Sequence, residues 1–455
     1  MNRLSGLFAL AVMFFLTACD VVAPRDPNAP ERFANLGTKD AVVFTTTGNI
    51  DPSQEVPQVV GRANVSQSSI DQVYGAFSKS PLWVGGKRWS NQAKLAHEAL
   101  SKSWAHGLQP NSYLPKTLSR LGRWTVEKDV ILTAGVIKYL SDVKFGRTRQ
   151  AHSNAAAILV QALKTGTVDA SLARAEPQDF FYQRMKTAAL KGLSRRGAKT
   201  PNFGALEETM EQLRLKAGPK VDSGTLVIVN IAAFDLQVWD GGQQVLGSKV
   251  IVGKEGRNTP PGPDRIKNLK FSPDWNAPKS IVERDLFPKL QANPADFNKF
   301  GMEVYLRGKR VADPTTVDWS KQSASSVRMR QAPGKDNVLG GVRFTLANSN
   351  AIYLHDTANR SLYGKVERAS SSGCVRVAKA KELAHWILQR DGKNWGMDKV
   401  EEAMNAGETS FVNLKRSIPV EMVYYTAWVD GNGALSLARD LYNKNAGLRA
   451  QLRVN

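Results

Sequence analysis

The spacing of apolar residues changes near Asp222, and this change constrains the fold more than any other feature of the chain. Before it, as across residues 90–107, apolar side chains recur every three or four positions, which is typical of helices. After it, residues 225–231 are β-branched and apolar, and residues 234–238 alternate, which is typical of strands. We therefore predict an α+β protein, with a helical N-terminal domain followed by a mostly β domain.

Capping residues and glycines place the ends of the predicted helices. Ser90 begins one helix and Gly107 ends it, residues 129–143 form a second, and residues 177–216 form one or two more. The predicted strands, of which the first three form an antiparallel meander, cover residues 225–231, 234–238, 245–252, 269–272, 342–346, 351–354, 410–414 and 420–429. Residues 283–335 are helix-prone and then charged and irregular, which indicates a capping insertion rather than sheet.

The first 66 residues indicate export. Arg3 precedes an apolar stretch over residues 7–16, which is shorter than the roughly 20 residues that span a bilayer. The small residues before Cys19 resemble the lipobox of bacterial lipoproteins, which implies cleavage before Cys19 and lipidation of its thiol; an ordinary secretory signal is the alternative. We predict a signal peptide over residues 1–18, a flexible lipid-anchored tether over residues 19–66, and a membrane-anchored periplasmic location.

Charge and composition limit the partners. The chain has 62 Lys and Arg against 41 Asp and Glu, a net charge of +21. Such a balance attracts polyanions, which outside the cytoplasm are cell-wall polymers and anionic lipid head groups, although the charges can also simply solvate the surface. The sequence has no nucleic-acid-binding motif and no His or Cys pair at metal-ligand spacing, so we predict no nucleic acid, no metal and no cofactor.

Cys374 has the surroundings that a nucleophilic cysteine needs: an imidazole to take its proton and backbone donors for an oxyanion. His355 directly follows a predicted strand. Cys374 lies in a Ser/Gly turn, and a helix predicted over residues 377–389 begins close behind it, where its dipole would favour the thiolate. The N–H groups of Gly373 and Cys374 are the predicted oxyanion donors. Arg376 could bind a substrate carboxylate or support the turn.

Other interpretations of these residues are open at this stage. A lone cysteine is also compatible with a buried structural role. Ser371 and Ser372 lack the Gly-x-Ser-x-Gly elbow of a serine nucleophile. The remaining histidines lie in helical or connecting sequence and are predicted to be surface or packing residues: His97, His106, His152 and His385.

The segments 352–357 and 371–377 resemble the active-site motif of YkuD-type L,D-transpeptidases, the cysteine enzymes that cross-link peptidoglycan. Similarity to the large branch of that family continues through residues 81–83, 139–147, 229–234, 250–253, 259–261, 275–281, 317–320 and 425–428. The implied domains are a helical scaffold over residues 67–170, a helical connector or reduced peptidoglycan-binding region over 171–220, and a catalytic domain over 221–443 with its capping insertion at about 283–335.

The resemblance implies a role for each motif residue. Cys374 becomes the nucleophile, His355 its base and later acid, and Asp356 the residue that orients the ring through its carbonyl or carboxylate. The residues implied to bind substrate are Tyr353, Arg376, Trp275 and Ser372. The family often has histidine where this chain has Ser372 and asparagine where it has Arg376.

The implied reaction joins two peptidoglycan stem peptides. A tetrapeptide donor acylates the cysteine with loss of D-alanine, and a side-chain amine of a second stem resolves the thioester to give a 3→3 cross-link. The same site is compatible with L,D-carboxypeptidase activity, D-amino-acid exchange or attachment of a lipoprotein to the wall. A non-catalytic wall-binding lipoprotein is the non-enzymatic alternative. Partners in cell-wall synthesis are possible, and carbapenem-type β-lactams are expected to acylate the cysteine.

Overall fold

The computed structural model describes residues 64–454 except 87, 194–202, 223, 300 and 348–351. These residues fall in one compact unit, Asn49–Asn455. The signal peptide, Cys19 and nearly all of the tether predicted over residues 19–66 lie outside the described residues. Among the helices that are described, none has both the length and the apolarity needed to cross a membrane.

A helical region precedes the sheet, as predicted. Its helices are α1 Gln67–Gly75, α2 Asn91–Ser101, α3 Val126–Phe145, α4 His152–Thr165, α5 Val168–Ala175, α6 Phe180–Gly192 and α7 Phe203–Leu215, with a small hairpin of β1 Val84–Gly85 and β2 Arg88–Trp89. Ser90 caps α2 by accepting a hydrogen bond from the Ala93 N–H. The helix predicted to reach Gly107 ends earlier, and a 3₁₀ turn, Ser103–His106, completes the segment. The first core extends from Val65 to Ala175 around α3, which is buried along most of its length.

One buried carboxylate joins the N-terminal segment to α3. Asp129 is fully buried, and it accepts hydrogen bonds from the Tyr74 hydroxyl at 2.6 Å and the Trp124 indole at 2.9 Å. The backbone N–H groups of Leu82 and Trp83 donate to the same carboxylate at 3.1 and 3.0 Å. Burial raises the pKa of Asp129, and the four donors oppose that rise by stabilising the charged form.

The C-terminal region contains a nine-stranded sheet that closes on itself. Its strands are β3 Thr225–Asn230, β4 Asp235–Asp240, β5 Gln243–Gly253, β6 Gly262–Phe271, β11 Val342–Leu346, β12 Leu354–His355, β13 Ala369–Ser371, β14 Val375–Val377 and β15 Ser410–Val423. The order is β13-β5-β14-β12-β11-β6-β15-β3-β4, and β4 also pairs with β5. The predicted antiparallel meander of β3, β4 and β5 is confirmed.

Both faces of this sheet pack against apolar side chains. Val227 and Val229 of β3 face an inner core that also contains Leu383 and Ile387 of α11 Ala380–Arg390, while α12 Met397–Asn405 lies alongside. Ile228 faces the opposite way and packs with α6, α7 and β16 Ala427–Val429, which pairs with β17 Leu435–Leu437. A last helix, α13 Ala446–Val454, ends the described chain. Burial on both faces explains why β3 has an unbroken apolar sequence.

The insertion forms a sheet, so the prediction that it is irregular was wrong. We call residues 275–331 the cap. Its elements are β7 Trp275–Asn276, α8 Lys279–Ile281, a π-helical turn Val282–Leu286, α9 Phe287–Ala292, α10 Ala295–Lys299, β8 Met302–Leu306, β9 Lys309–Val311 and β10 Val327–Gln331. The strands pair in the order β7-β10-β8-β9 around an apolar core that includes Val304 and Met329. Charged residues alternate with the buried ones, and this alternation made the strands look irregular.

Candidate active site

Cys374 and His355 lie on one face of the closed sheet. β12 and β14 are parallel neighbours, with Leu354 opposite Val375. The next pair along both strands is His355 and Arg376. Leu354 and Val375 are fully buried in the inner core. Since successive side chains of a strand alternate between faces, His355, Cys374 and Arg376 point to the other face together.

Tyr353 connects this face to the cap. Its side chain packs against the apolar core of the cap. The hydroxyl accepts a hydrogen bond from the Trp275 side chain and donates one to the Cys374 sulfur, and the Tyr353 backbone N–H donates to the same sulfur. Tyr353 therefore lies beside the cysteine, and Trp275 is linked to the cysteine through Tyr353.

Two opposing effects set the protonation of Cys374. Burial raises the pKa of the thiol, whereas the two hydrogen bonds from Tyr353 and the charges of Arg343 and Arg376 lower it. Burial is the larger effect, so the thiol is the resting form at neutral pH.

His355 is buried and held by backbone carbonyls. Its Nδ1 lies 2.5 Å from the Asp356 carbonyl oxygen, and the Leu339 carbonyl is also hydrogen-bonded to the ring. Burial, followed by the charge of Arg376, lowers the pKa of His355 to about 3. The imidazole is therefore neutral at neutral pH. It can accept a proton, as a general base must.

The Asp356 carboxylate points away from the ring. It accepts hydrogen bonds from the Gly341 N–H at 3.0 Å and from Arg360 at 2.9 Å. Of the two alternatives that the sequence left open, the backbone carbonyl of Asp356 is the group that contacts His355.

The helix predicted over residues 377–389 is present, but it begins later than predicted. Residues Val375–Val377 form β14, and the next helix begins only at Ala380. Its N-terminus is therefore not adjacent to Cys374, and the argument that a helix dipole favours the thiolate fails. The hydrogen bonds from Tyr353 stabilise the charged sulfur instead.

The turn before Cys374 uses one of the predicted oxyanion donors for its own structure. The Gly373 N–H donates to the Ser371 hydroxyl at 3.1 Å, and that hydroxyl donates to the Cys374 carbonyl at 2.6 Å. The Gly373 carbonyl accepts a hydrogen bond from Thr259 at 2.7 Å. Gly373 has φ of 122°, a conformation that residues with a side chain rarely adopt. In this conformation the Gly373 N–H is therefore not directed at a substrate.

An arginine that the sequence analysis missed joins this turn to the cap. Arg257, in the β5–β6 loop, forms a two-pronged ion pair with Asp285 of the π-helical turn and donates a hydrogen bond to the Ser372 hydroxyl at 3.0 Å. Ser372 is exposed at the edge of the site. Arg257 lies two positions before the segment 259–261 that the resemblance covered, and no sequence pattern indicated its partner in the cap.

Two further polar side chains near the motif were also missed. Arg343 of β11 pairs with His355, and its guanidinium lies 5.2 Å from the centre of the Tyr353 ring. Tyr363, in a 3₁₀ turn, is buried and interacts electrostatically with Arg376. The alternation of β11, with apolar side chains on the other face, was the signal that could have placed Arg343 on the site face.

The other histidines lie away from this site. His97 contacts the Leu118 carbonyl, and His106 lies 3.0 Å from the Tyr182 hydroxyl within the helical region. His152 lies in α4 and His385 in α11. Across the part of the chain that the structure describes, no three His, Cys, Asp or Glu side chains are grouped as a metal site.

These features define a class of protein: a helical scaffold followed by a closed β domain, in which a cysteine and a histidine share a sheet face beneath a cap. Residues 224–401 match the family model described as the L,D-transpeptidase catalytic domain, YkuD, and residues 68–188 match the model described as the Scaffold domain. The chain therefore contains a YkuD-type L,D-transpeptidase catalytic domain preceded by a Scaffold domain.

The name of one similar protein agrees with this assignment. A Haemophilus influenzae protein named "Putative L,D-transpeptidase" is 36% identical over 234 residues, which is 51% of this chain and 47% of that protein. The chain thus aligns with about half the length of this curated relative. The crystal structure of Mycobacterium tuberculosis L,D-transpeptidase 1 is 13% identical with a TM-score of 0.18, over 44% of this chain and 61% of that one. At that score the likeness carries no argument.

Proposed function

We propose that this chain is a cysteine acyltransferase that forms 3→3 cross-links between peptidoglycan stem peptides during cell-wall biogenesis. One observation carries the proposal: Cys374 and His355 share a covered sheet face in a domain of the L,D-transpeptidase family. The two hydrogen bonds from Tyr353 to the sulfur support it, because they stabilise the thiolate as it forms.

In the first half-reaction, the Cys374 sulfur attacks the carbonyl carbon at the L-centre of diaminopimelate in a tetrapeptide stem. His355 takes the thiol proton, which the neutral imidazole is able to do, and passes it to the amine of D-alanine. The carbon–nitrogen bond breaks, D-alanine leaves, and a thioester remains. The Asp356 carbonyl, bonded to Nδ1, keeps the ring oriented through both transfers.

In the second half-reaction, a side-chain amine from another stem attacks the thioester. His355 now accepts the amine proton and returns a proton to the departing sulfur, so the thiol is regenerated. Oxyanion stabilisation by the Gly373 N–H requires the Ser371 hydroxyl to turn away, since it accepts from that N–H in this conformation.

Mass spectrometry of muropeptide tetrapeptides incubated with the purified chain, beside its Cys374→Ala variant, tests the proposal. Dimers that need Cys374 and have lost D-alanine support it. Tripeptide alone indicates an L,D-carboxypeptidase, and incorporation of an added D-amino acid indicates exchange. No conversion by the unmodified chain contradicts the proposal and favours a non-catalytic wall-binding lipoprotein.

We also propose that carbapenem-type β-lactams acylate Cys374, because an activated sulfur opens a strained lactam. A single adduct that Cys374→Ala abolishes is the expected mass spectrum. Labelling elsewhere in the chain contradicts the assignment of the nucleophile.

A membrane-anchored periplasmic location is the third part of the proposal, and it rests on the sequence around Cys19. Metabolic labelling with a clickable fatty acid should mark the chain but not its Cys19→Ser variant. Equal labelling of both forms, or a cytoplasmic location of the unmodified chain, refutes the anchor.

A further inference from the structure

Two arginines lie on either side of His355 on the site face. Arg343 of β11 and Arg376 of β14 are the direct neighbours of His355 on the two adjoining strands. Neighbouring strands are about 4.8 Å apart, so all three side chains begin within one short row. Cys374 lies two positions before Arg376 on the same strand face. A row of two cations thus borders both proposed catalytic groups.

Three donor atoms in or near this row lack hydrogen-bond partners among the described residues, although Nη2 of Arg343 donates to the Thr345 hydroxyl at 3.3 Å. The Nε atoms of Arg343 and Arg376 and the Tyr363 hydroxyl are buried, and none forms a hydrogen bond with any group that the structure describes. Tyr363 is 7% exposed. Buried donors without partners are rare, because each costs free energy when it gives up water. Two of these donors belong to the arginines that flank His355, and the third interacts electrostatically with Arg376, which indicates a ligand that supplies their partners.

The nearby acid is already occupied. Asp356 directs its carboxylate to Gly341 and Arg360, so it does not neutralise Arg343 or Arg376. Arg376 interacts electrostatically with both Tyr363 and Cys374. The ligand is therefore an anion close to the cysteine. A guanidinium matches a carboxylate best, since its N–H groups meet both oxygens.

We propose that Arg343, Arg376 and Tyr363 bind the free carboxylate of the residue that leaves when Cys374 is acylated. This inference rests on the proposed function and names the feature of the donor that the site selects. Only one nitrogen and one carbon separate that carboxylate from the attacked carbonyl, so the two lie within about 5 Å of each other. A group held that close to the attacked bond must be bound by residues next to Cys374, as these are.

The subsite explains how the site distinguishes two lengths of stem. In a tetrapeptide the departing D-alanine ends in a carboxylate. In a pentapeptide the same residue continues into an amide, which has no charge for the arginines and leaves them half-buried without a counter-ion. The tetrapeptide is therefore the preferred donor, and the preference originates at Arg343 and Arg376.

The test compares three synthetic donors: the tetrapeptide, its C-terminal carboxamide and the pentapeptide. Acylation is followed by release of the leaving group, with kcat/KM for each donor. The unmodified chain should favour the tetrapeptide over the carboxamide by about 100-fold.

Arg376→Gln and Arg343→Gln should each reduce this ratio at least tenfold, chiefly by losing activity on the free acid, whereas Arg376→Lys retains part of the ratio. Arg265→Gln, an exposed arginine on β6, is the matched control and should leave the ratio unchanged.

Two controls separate the loss of carboxylate binding from other effects of the substitutions. A thermal melt reports whether each variant is folded, and the rate of alkylation of Cys374 by iodoacetamide reports how well the thiolate is stabilised. Equal loss on the acid and the carboxamide in both variants would mean that the arginines act on the sulfur, and it overturns the inference. An unchanged ratio of kcat/KM for the acid to kcat/KM for the carboxamide in both variants also overturns it. If the unmodified chain releases D-alanine but does not distinguish acid from carboxamide, only this inference fails. If it releases no D-alanine at all, the proposed function fails first.

Discussion

The buried imidazole of His355 should make the protein sensitive to acid. Burial, with the charge of Arg376, lowers its pKa to about 3 in the folded state, whereas in the unfolded chain it is about 6.5. Between these values the unfolded state binds a proton that the folded state does not, so stability is lost as the pH falls. Each pH unit in this window is worth about 1.4 kcal/mol, so the step from pH 7 to pH 4 costs about 3 kcal/mol.

The variant His355→Asn isolates this contribution. An asparagine amide can still donate to the Asp356 carbonyl, but it does not titrate. Urea denaturation at pH 7, 6, 5 and 4 gives the free energy of unfolding of both proteins, and the other titrating groups cancel in the difference. The unmodified chain should lose about 3 kcal/mol more than the variant over this range. If the two curves stay parallel within about 0.5 kcal/mol, the imidazole is not held neutral by burial, and the reasoning fails.

Three further substitutions test other contacts. Asp129→Asn removes an acceptor from the buried network in the scaffold region and should lower the free energy of unfolding by about 3 kcal/mol; an unchanged melting temperature contradicts this. Tyr353→Phe removes the hydroxyl donor to the Cys374 sulfur, so alkylation by iodoacetamide at pH 8 should slow about tenfold, and an unaltered pH profile argues against that hydrogen bond. Asp285→Asn breaks the ion pair with Arg257, so amide hydrogen exchange in α9 should accelerate. Equal exchange rates in the variant and the unmodified chain would mean that the ion pair does not stabilise the cap.

Where the sequence pattern reflected burial, the fold could be predicted. β3 was found because both of its faces are buried and its sequence is apolar throughout. β11 was predicted with its observed bounds, Val342–Leu346. β6 was predicted only over its last residues, because exposed charged side chains alternate along Gly262–Phe271. The cap was misjudged for the same reason. Short strands with one exposed face carry too few apolar residues to be recognised.

At the site, the sequence identified the reactive residues but not the side chains that surround them. Cys374 and His355 were identified from local motifs and a family resemblance. The helix after the cysteine was predicted to begin three residues too early, because Val375 and Val377 are buried strand residues whose alternation with Arg376 is too short to be distinctive. Arg343 becomes a site residue only through its pairing with β12, and strand register is not visible in a single sequence.

The two arginines also make the basicity of the site depend on its substrate. Arg376 and Arg343 both lower the pKa of His355, so the resting imidazole is a weak base beside a protonated thiol. A carboxylate bound between the arginines neutralises their charge and removes that part of the effect, which raises the affinity of the imidazole for a proton. The same neutralisation raises the pKa of the Cys374 thiol, because both arginines lower it in the resting site. A carboxylate bound in the proposed subsite would therefore shift both groups toward their protonated forms, so the pH dependence of acylation should differ between the free acid and its carboxamide.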